Sequence, residues 1–432
     1  TTTIASPGSI GGTTTVSASG NLTSNGTLAA LTVTGGQANL TGGSATVLTQ
    51  SSGTITTAAN ITGPVNASGG TLLNQSSGTL ANLTVSGGAV TNNGVITSNV
   101  VVSSGSLSLN PGSTQLGNFT VSGGTVTGLI LNGATLSMSG GVLNSLQINS
   151  GTAGITGGNV NGTLTTNGTV NVNTTGTVAN LTVNTGTTTI GSGGTVTGTI
   201  NAYGGTTTLG GTQSGALNVN GATADVAINT AVAGLTTVTL SNSTTISSST
   251  GALTINGAGA NVTIGGGSYN IGATTVSAST LTVPATTTLA SLSQSGGTVN
   301  LRGTVSSTAA LSGGTLTTNG TITGATTQTG GTMNITGGTY TGGIVLNGGT
   351  LLTNTGNNFT GSINASGAVA GTTLVLPLTG SVNQAGSLTL GANLATQVAM
   401  QGTGGAGYNM AVGKRVSSGT VALAGSVTLP VF

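Results

Sequence analysis

Residues 296–300 read Gly-Gly-Thr-Val-Asn, and residues 313–317, which lie 17 positions further on, read Gly-Gly-Thr-Leu-Thr. In both stretches an apolar residue lies between hydroxyl or amide residues. This alternation is typical of a half-buried strand, and the preceding glycine pair is a turn signal. Residues 31–36, 83–88 and 119–124 repeat the combination of a short alternating run and a Gly-Gly pair. The sequence therefore predicts an all-β fold.

The spacing of the turn signals predicts how these strands are arranged. Gly-Gly pairs begin at 123, 140 and 157, and again at 296, 313, 330 and 348, in steps of 17 or 18. In the first part of the chain, Ser-Ser-Gly motifs end at Gly53, Gly78 and Gly105, in steps of 25 and 27. Fixed periods indicate a solenoid, whose turns stack and pair their strands in parallel about 4.8 Å apart. We expect an elongated parallel β-solenoid (β-helix) with turns of about 17–18 residues. The first hundred residues favour a longer turn, of up to 26.

Changes in this rhythm predict the domain organisation. Residues 1–370 are expected to form the solenoid rod, with an irregular stretch at about 212–264, where Gly-Gly pairs are missing. Residues 371–432 are expected to form an atypical C-terminal cap or assembly region, because the end of a solenoid must be covered or joined to something. Within this region, we predict assembly contacts at Lys414 and Arg415 and in the closing strand-like run that ends at Val431 and Phe432.

The composition excludes several functions. Charged residues make up 1% of the chain, and there is no His and no Cys. General acid–base catalysis needs His, paired carboxylates or a tuned Lys, and metal sites need clustered ligands. Asp225 is the only acid and is expected to be a surface or turn residue. The three cations are too few for a phosphate-binding surface. The sequence thus predicts no enzyme, no catalytic, cofactor-binding or metal site, and no nucleic-acid partner.

Two further features concern apolar and aromatic residues. The mean hydropathy is +0.34, but the longest strongly apolar run is residues 374–378, far shorter than the roughly 20 residues of a membrane span. No membrane span is therefore predicted. Tyr203, Tyr269, Tyr340 and Tyr408 are isolated from one another, and we expect them to pack at the surface or rim.

The repeats at 296–300, 313–322 and 349–351 resemble those of bacterial autotransporter passengers and filamentous-haemagglutinin-type adhesins. The resemblance extends over about residues 1–365. It implies a right-handed parallel β-solenoid that lies outside the cell.

The function expected from these features is that of a structural subunit of an extracellular fibre, sheath or matrix. Its copies would associate through β-rich ends and an uncharged surface, because little repulsion separates neutral surfaces. The alternative is an adhesin stalk or virus tail fibre that presents a binding region in residues 371–432. The chain starts at Thr1 without a leader, and we expect a secreted form whose signal peptide has been removed. Besides itself, the cell surface or glycans are the expected partners.

Overall fold

The structure is a computed structural model that describes residues 1–173, 175–229, 237–240, 244–247, 250–256, 261–353, 358–376, 383–384, 388–390, 395–398 and 421–423. Regular secondary structure in these residues consists of β-strands and one isolated bridge. The contacts within the chain divide it into two compact units, Thr1–Gly215 and Ala216–Phe432. Neither unit contains a described helix that is long and apolar enough to cross a membrane.

The strands of the first unit are β1 (Thr2–Ile4), β2 (Ser9–Val16), β3 (Asn21–Ser24), β4 (Thr27–Leu40), β5 (Ser44–Thr57), β6 (Asn60–Ala67), β7 (Thr71–Asn74), β8 (Thr79–Asn92), β9 (Val95–Ile96), β10 (Val100–Leu109), β11 (Thr114–Gln115), β12 (Phe119–Val121), β13 (Thr125–Thr127), β14 (Leu129–Leu143), β15 (Leu146–Thr166), β16 (Thr169–Val172), β17 (Thr177–Val183), β18 (Thr187–Ile190), β19 (Thr195–Val196), β20 (Ile200–Leu209) and β21 (Thr212–Gln213).

The strands of the second unit are β22 (Ala216–Asn229), β23 (Thr237–Leu240), β24 (Thr244–Ser247), β25 (Ala252–Ile255), β26 (Asn261–Ile264), β27 (Asn270–Val276), β28 (Thr280–Val283), β29 (Thr288–Gln294), β30 (Thr298–Leu301), β31 (Thr304–Val305), β32 (Ala309–Leu311), β33 (Thr315–Thr318), β34 (Thr321–Ile322), β35 (Thr326–Ile335), β36 (Thr339–Tyr340), β37 (Ile344–Thr353), β38 (Asn358–Phe359), β39 (Ile363–Ala365), β40 (Thr373–Leu376), β41 (Asn383–Gln384), β42 (Leu388–Leu390), β43 (Ala395–Val398) and β44 (Val421–Leu423).

All described pairings are parallel and join one turn to the next. In the second unit, β30 pairs with β33, β31 with β34 and β32 with β35, and all three pairings join positions that differ by 17 in the sequence. One turn therefore carries three strand segments. The prediction of a parallel β-solenoid is confirmed in each unit, and the described residues of the two units form about 19 turns.

The prediction of a longer turn, of up to 26 residues, in the first hundred residues is wrong. There, Thr54 pairs with Thr71 and Thr71 pairs with Ala89, so that the sequence offsets are 17 and 18. The steps between the Ser-Ser-Gly motifs do not measure the turn length, because the motifs occupy different corners. Gly53 and Gly105 lie at one corner of the turn, whereas Gly78 lies at another. A longer offset, of 25, does occur later in the chain, where Ile363 pairs with Leu388.

Pairing offsets are uneven in the stretch for which the sequence predicts an irregular rhythm. Ala216 pairs with Thr237, which pairs with Ala252, so that the sequence offset falls from 21 to 15. Elsewhere in this stretch, Val226 pairs with Thr244, and the offset is 18. The insertions between strands therefore differ from turn to turn, while the pairing stays parallel.

The core of each unit is made of aliphatic side chains that line up across turns. Val299, Leu316, Met333 and Leu351 are in register in successive turns, and each is at most 1% exposed. Alternate residues of the same strands point outward and are mainly Thr, Ser and Asn, as in Thr298–Leu301. Burial of the inward row supplies the main driving force for folding, about 0.8 kcal/mol per buried methylene.

Candidate binding cleft

Ionisable side chains are rare in the described part of the chain. Arg302 is exposed, and the described residues contain no group of three or more His, Cys, Asp or Glu side chains that could hold a metal ion. Asp225 lies in β22, but its side chain is outside the described set. Lys414, Arg415, Val431 and Phe432, the predicted assembly contacts, also lie outside the described residues. Their role stays a prediction.

Tyr340 corrects the prediction that the tyrosines pack at the surface or rim. Tyr203 is 49% exposed, as expected, but Tyr340 is only 1% exposed and lies inside the solenoid. Its hydroxyl donates to the carbonyl oxygen of Gly337 at 3.2 Å and lies 3.3 Å from the hydroxyl of Thr318. Burial raises the pKa of Tyr340 to about 12, and the hydrogen bond with Thr318 partly opposes this rise. A tyrosine can be buried here because its one polar atom has partners. Tyr408 lies outside the described residues.

Three buried glutamines, one in the first unit and two in the second, stabilise corners of their own turns, a role that the sequence analysis missed. The Nε2 group of Gln50 donates to the carbonyl of Gly53 at 3.0 Å and, one turn on, to that of Thr71 at 2.9 Å. Gln294 and Gln328 make the same type of contacts with their own corners and with the following turn. Each of these three glutamines stands three residues before a Gly.

Two buried asparagines form a ladder inside the first unit. The Nδ2 group of Asn74 donates to Oδ1 of Asn92, one turn further on, at 2.7 Å, and also to the carbonyl of Gly78 at 3.2 Å. Asn92 in turn donates to the carbonyl of Gly94 at 3.1 Å. Both side chains are fully buried. Buried amides are tolerated here because backbone carbonyls and the stacked partner accept their hydrogen bonds.

Among the described residues, a surface cleft of about 510 Å³ lies in the first unit. It lies where the ladder of parallel strands is interrupted. β11 pairs with β9 on one edge, and among the described strands none pairs with its other edge. In the following turn, β14 pairs with β15 of the turn after it, where Ile130 is the register partner of Gln147. The cleft is lined by residues 108–113, by Gln115, and by residues of β13, β14 and β15.

A tight turn forms one part of the cleft lining. The amide of Ser113 donates to the carbonyl of Asn110 at 3.0 Å, which closes a four-residue turn with Pro111 and Gly112 in the middle. Gly112 has a φ of +91°. A Pro followed by a residue with positive φ is the pattern of a type II turn. The sequence thus fixes the position of this turn at the edge of the cleft.

Hydrogen bonds orient the amides that line the cleft. Asn110 accepts from the Ser108 hydroxyl at 3.2 Å and donates to Asn93 at 2.7 Å. Gln115 is 6% exposed, and its Nε2 donates to the Ser113 hydroxyl at 2.7 Å. Gln147 is exposed and donates to Asn149 at 2.7 Å. The cleft therefore has a defined set of neutral hydrogen-bonding groups and no ionisable side chain.

No family model matches the sequence, no curated protein matches it, and no solved structure matches the fold at a significant level.

Proposed function

We propose that this protein is a structural subunit of an extracellular fibre, sheath or matrix, in which copies of the solenoid associate with one another. The observation that carries this proposal is an outer surface of neutral side chains aligned from turn to turn. Thr298, Thr315, Thr332 and Thr350 are partners in register on successive turns, and all four are half-buried.

A column of this kind would repel itself if its residues were charged, because neighbouring strands lie about 4.8 Å apart. Neutral hydroxyls and amides avoid that repulsion, and amides on the surface of the first unit bridge neighbouring turns. Asn149 donates to Asn132 at 2.8 Å and Asn144 donates to Thr127 at 2.8 Å. The same neutrality leaves little electrostatic repulsion between copies. Natural sheets usually avoid association by means of charged side chains.

Three lysines on the threonine column test the proposal. We expect wild-type protein to form assemblies visible by negative-stain electron microscopy. Thr280 belongs to the same column, because it is the register partner of Thr298 in the preceding turn. The triple variant Thr280→Lys, Thr315→Lys, Thr350→Lys should stay dispersed at low salt, since its formal net charge rises from +2 to +5. It should assemble again in 1 M salt, where the Debye length falls to about 3 Å.

The matched control carries Gln at the same three positions and should assemble like wild type. Circular dichroism of both variants checks that the fold is retained. Dispersed wild-type protein at high concentration, or assembly of the lysine variant at low salt, would contradict the proposal. The alternative of an adhesin with a binding region in 371–432 stays a prediction, because most of that region lies outside the described residues.

A further inference from the structure

We infer that the cleft between the turn at Asn110–Ser113 and the outward residues of β14 and β15 binds a short neutral saccharide. This function is separate from assembly, because the cleft lies in the first unit and the threonine column that supports assembly lies in the second. The volume of about 510 Å³ is within the range of small-ligand sites, roughly 300–1,000 Å³.

The lining determines the charge of the ligand. No residue of the cleft is ionisable, so a charged group on the ligand would lose water without gaining a partner of opposite charge. Burying such a group is costly. The lining instead supplies amide and hydroxyl groups, each of which can donate or accept a hydrogen bond. Ligands rich in hydroxyls and free of charge complement this set.

The apolar part of the lining limits the class of ligand further. Ile130 is 37% exposed, and Pro111 is also exposed. Both line the cleft beside Gln147 and Asn110. A pyranose ring presents C–H groups on its faces and hydroxyls around its edge, so it can contact apolar and amide groups at once. A purely apolar ligand would displace water from the remaining donor and acceptor sites of these amides without replacing its hydrogen bonds.

The cleft is also organised before a ligand arrives. Gln115 is nine-tenths buried and bonded to Ser113, and Asn110 is held by Ser108 and Asn93. Groups held in this way lose little conformational entropy on binding. There is no aromatic ring in the lining, so we expect weak binding, in the millimolar range.

The test uses the full chain and a panel of probes: maltose, cellobiose and lactose as neutral disaccharides, with glucuronic acid and glucosamine as charged sugars. Saturation-transfer difference NMR should detect at least one neutral disaccharide and neither charged sugar. In Gln147→Leu the affinity should fall at least tenfold. Gln147 is exposed, and the thermal unfolding midpoint should stay unchanged.

Gln37→Leu is the matched control, because Gln37 is an exposed glutamine of the same unit that does not line the cleft. It should bind as wild type does. A wild-type chain that binds no neutral saccharide, binds charged sugars equally well, or binds unchanged after Gln147→Leu would overturn the inference. None of these outcomes bears on assembly, which the lysine variants test separately.

Discussion

Asn92→Asp is expected to destabilise the first unit by about 3–5 kcal/mol at neutral pH, the typical cost of an uncompensated buried charge. Asn92 is fully buried. Aspartate would keep the acceptor for Asn74 but lose the donor to the carbonyl of Gly94, which lies 3.1 Å from the amide nitrogen. A carboxylate would then face a carbonyl oxygen in a fully buried site. Urea unfolding followed by circular dichroism measures the loss.

The loss should depend on pH in a defined direction. Burial raises the pKa of the new carboxyl in the folded protein above its unfolded value of about 3.9. The folded state then binds a proton that the unfolded state has released, so stability falls as pH rises through this window. The free energy of unfolding of the variant should therefore be closest to that of wild type at acid pH and lowest above the folded-state pKa.

Asn110→Asp is the matched control for this prediction. Asn110 belongs to an equivalent stacked pair, with its Nδ2 2.7 Å from Oδ1 of Asn93, but this pair is exposed. Water solvates the new carboxylate there, and the cost should be below about 1 kcal/mol. Equal destabilisation by the two variants at neutral pH would show that Asn92 is not buried.

Gly105→Ala is expected to cost more than about 2 kcal/mol, because two separate effects combine at this corner. Gly105 has a φ of +77°, a region that residues with a Cβ rarely adopt. An added Cβ would also lie 2.5 Å from the carbonyl oxygen of Gly88 and 2.6 Å from the carbonyl carbon of Gly87. Both are backbone atoms of the preceding turn, which cannot move without disturbing its strand pairing. Urea unfolding also measures this change.

Two further alanine variants in the same unit separate the effects. Gly112 has a φ of +91° but no atom within 4 Å of an added Cβ, so Gly112→Ala should cost about 1–2 kcal/mol from backbone strain alone. Gly154 lies in β15, and the nearest atom to its added Cβ is 3.9 Å away, so Gly154→Ala should be neutral or slightly stabilising. Equal effects of all three variants would contradict the stacking of corners.

The repeating corner explains why the fold could be predicted from the sequence. Gly36, Gly53, Gly70, Gly88 and Gly105 all have positive φ, and each lies against the backbone of the turn before it. A glycine is needed once per turn at this place, so the glycine period reports the length of the turn. The longer alternative arose because Gly78, at a different corner, entered the same series.

The cleft and the buried polar groups could not be predicted in this way. The cleft forms because β11 does not pair with the following turn. Whether two strands pair depends on the three-dimensional register of the turns, so the sequence marks this place only by the Pro111-Gly112 turn. Tyr340 is buried because the hydroxyl of Thr318, which belongs to the preceding turn, comes within 3.3 Å. Contacts between turns follow from the three-dimensional register, and the local alternation of residues does not contain them.

Disulfide formation between engineered cysteines tests the central claim, the parallel in-register pairing of each turn with the next. The chain has no Cys, so a pair introduced at Thr298 and Thr315 has no competitor. These residues are register partners, and the strand spacing of about 4.8 Å suits a disulfide, whose Cα atoms are about 4.4–6.8 Å apart. Cysteines at Thr298 and Thr332 lie two turns apart, about 10 Å, beyond that reach. We predict that the first pair cross-links under mild oxidation, as read by mass spectrometry, and that the second does not. Failure of the first pair, or equal cross-linking of both, would contradict the fold described here.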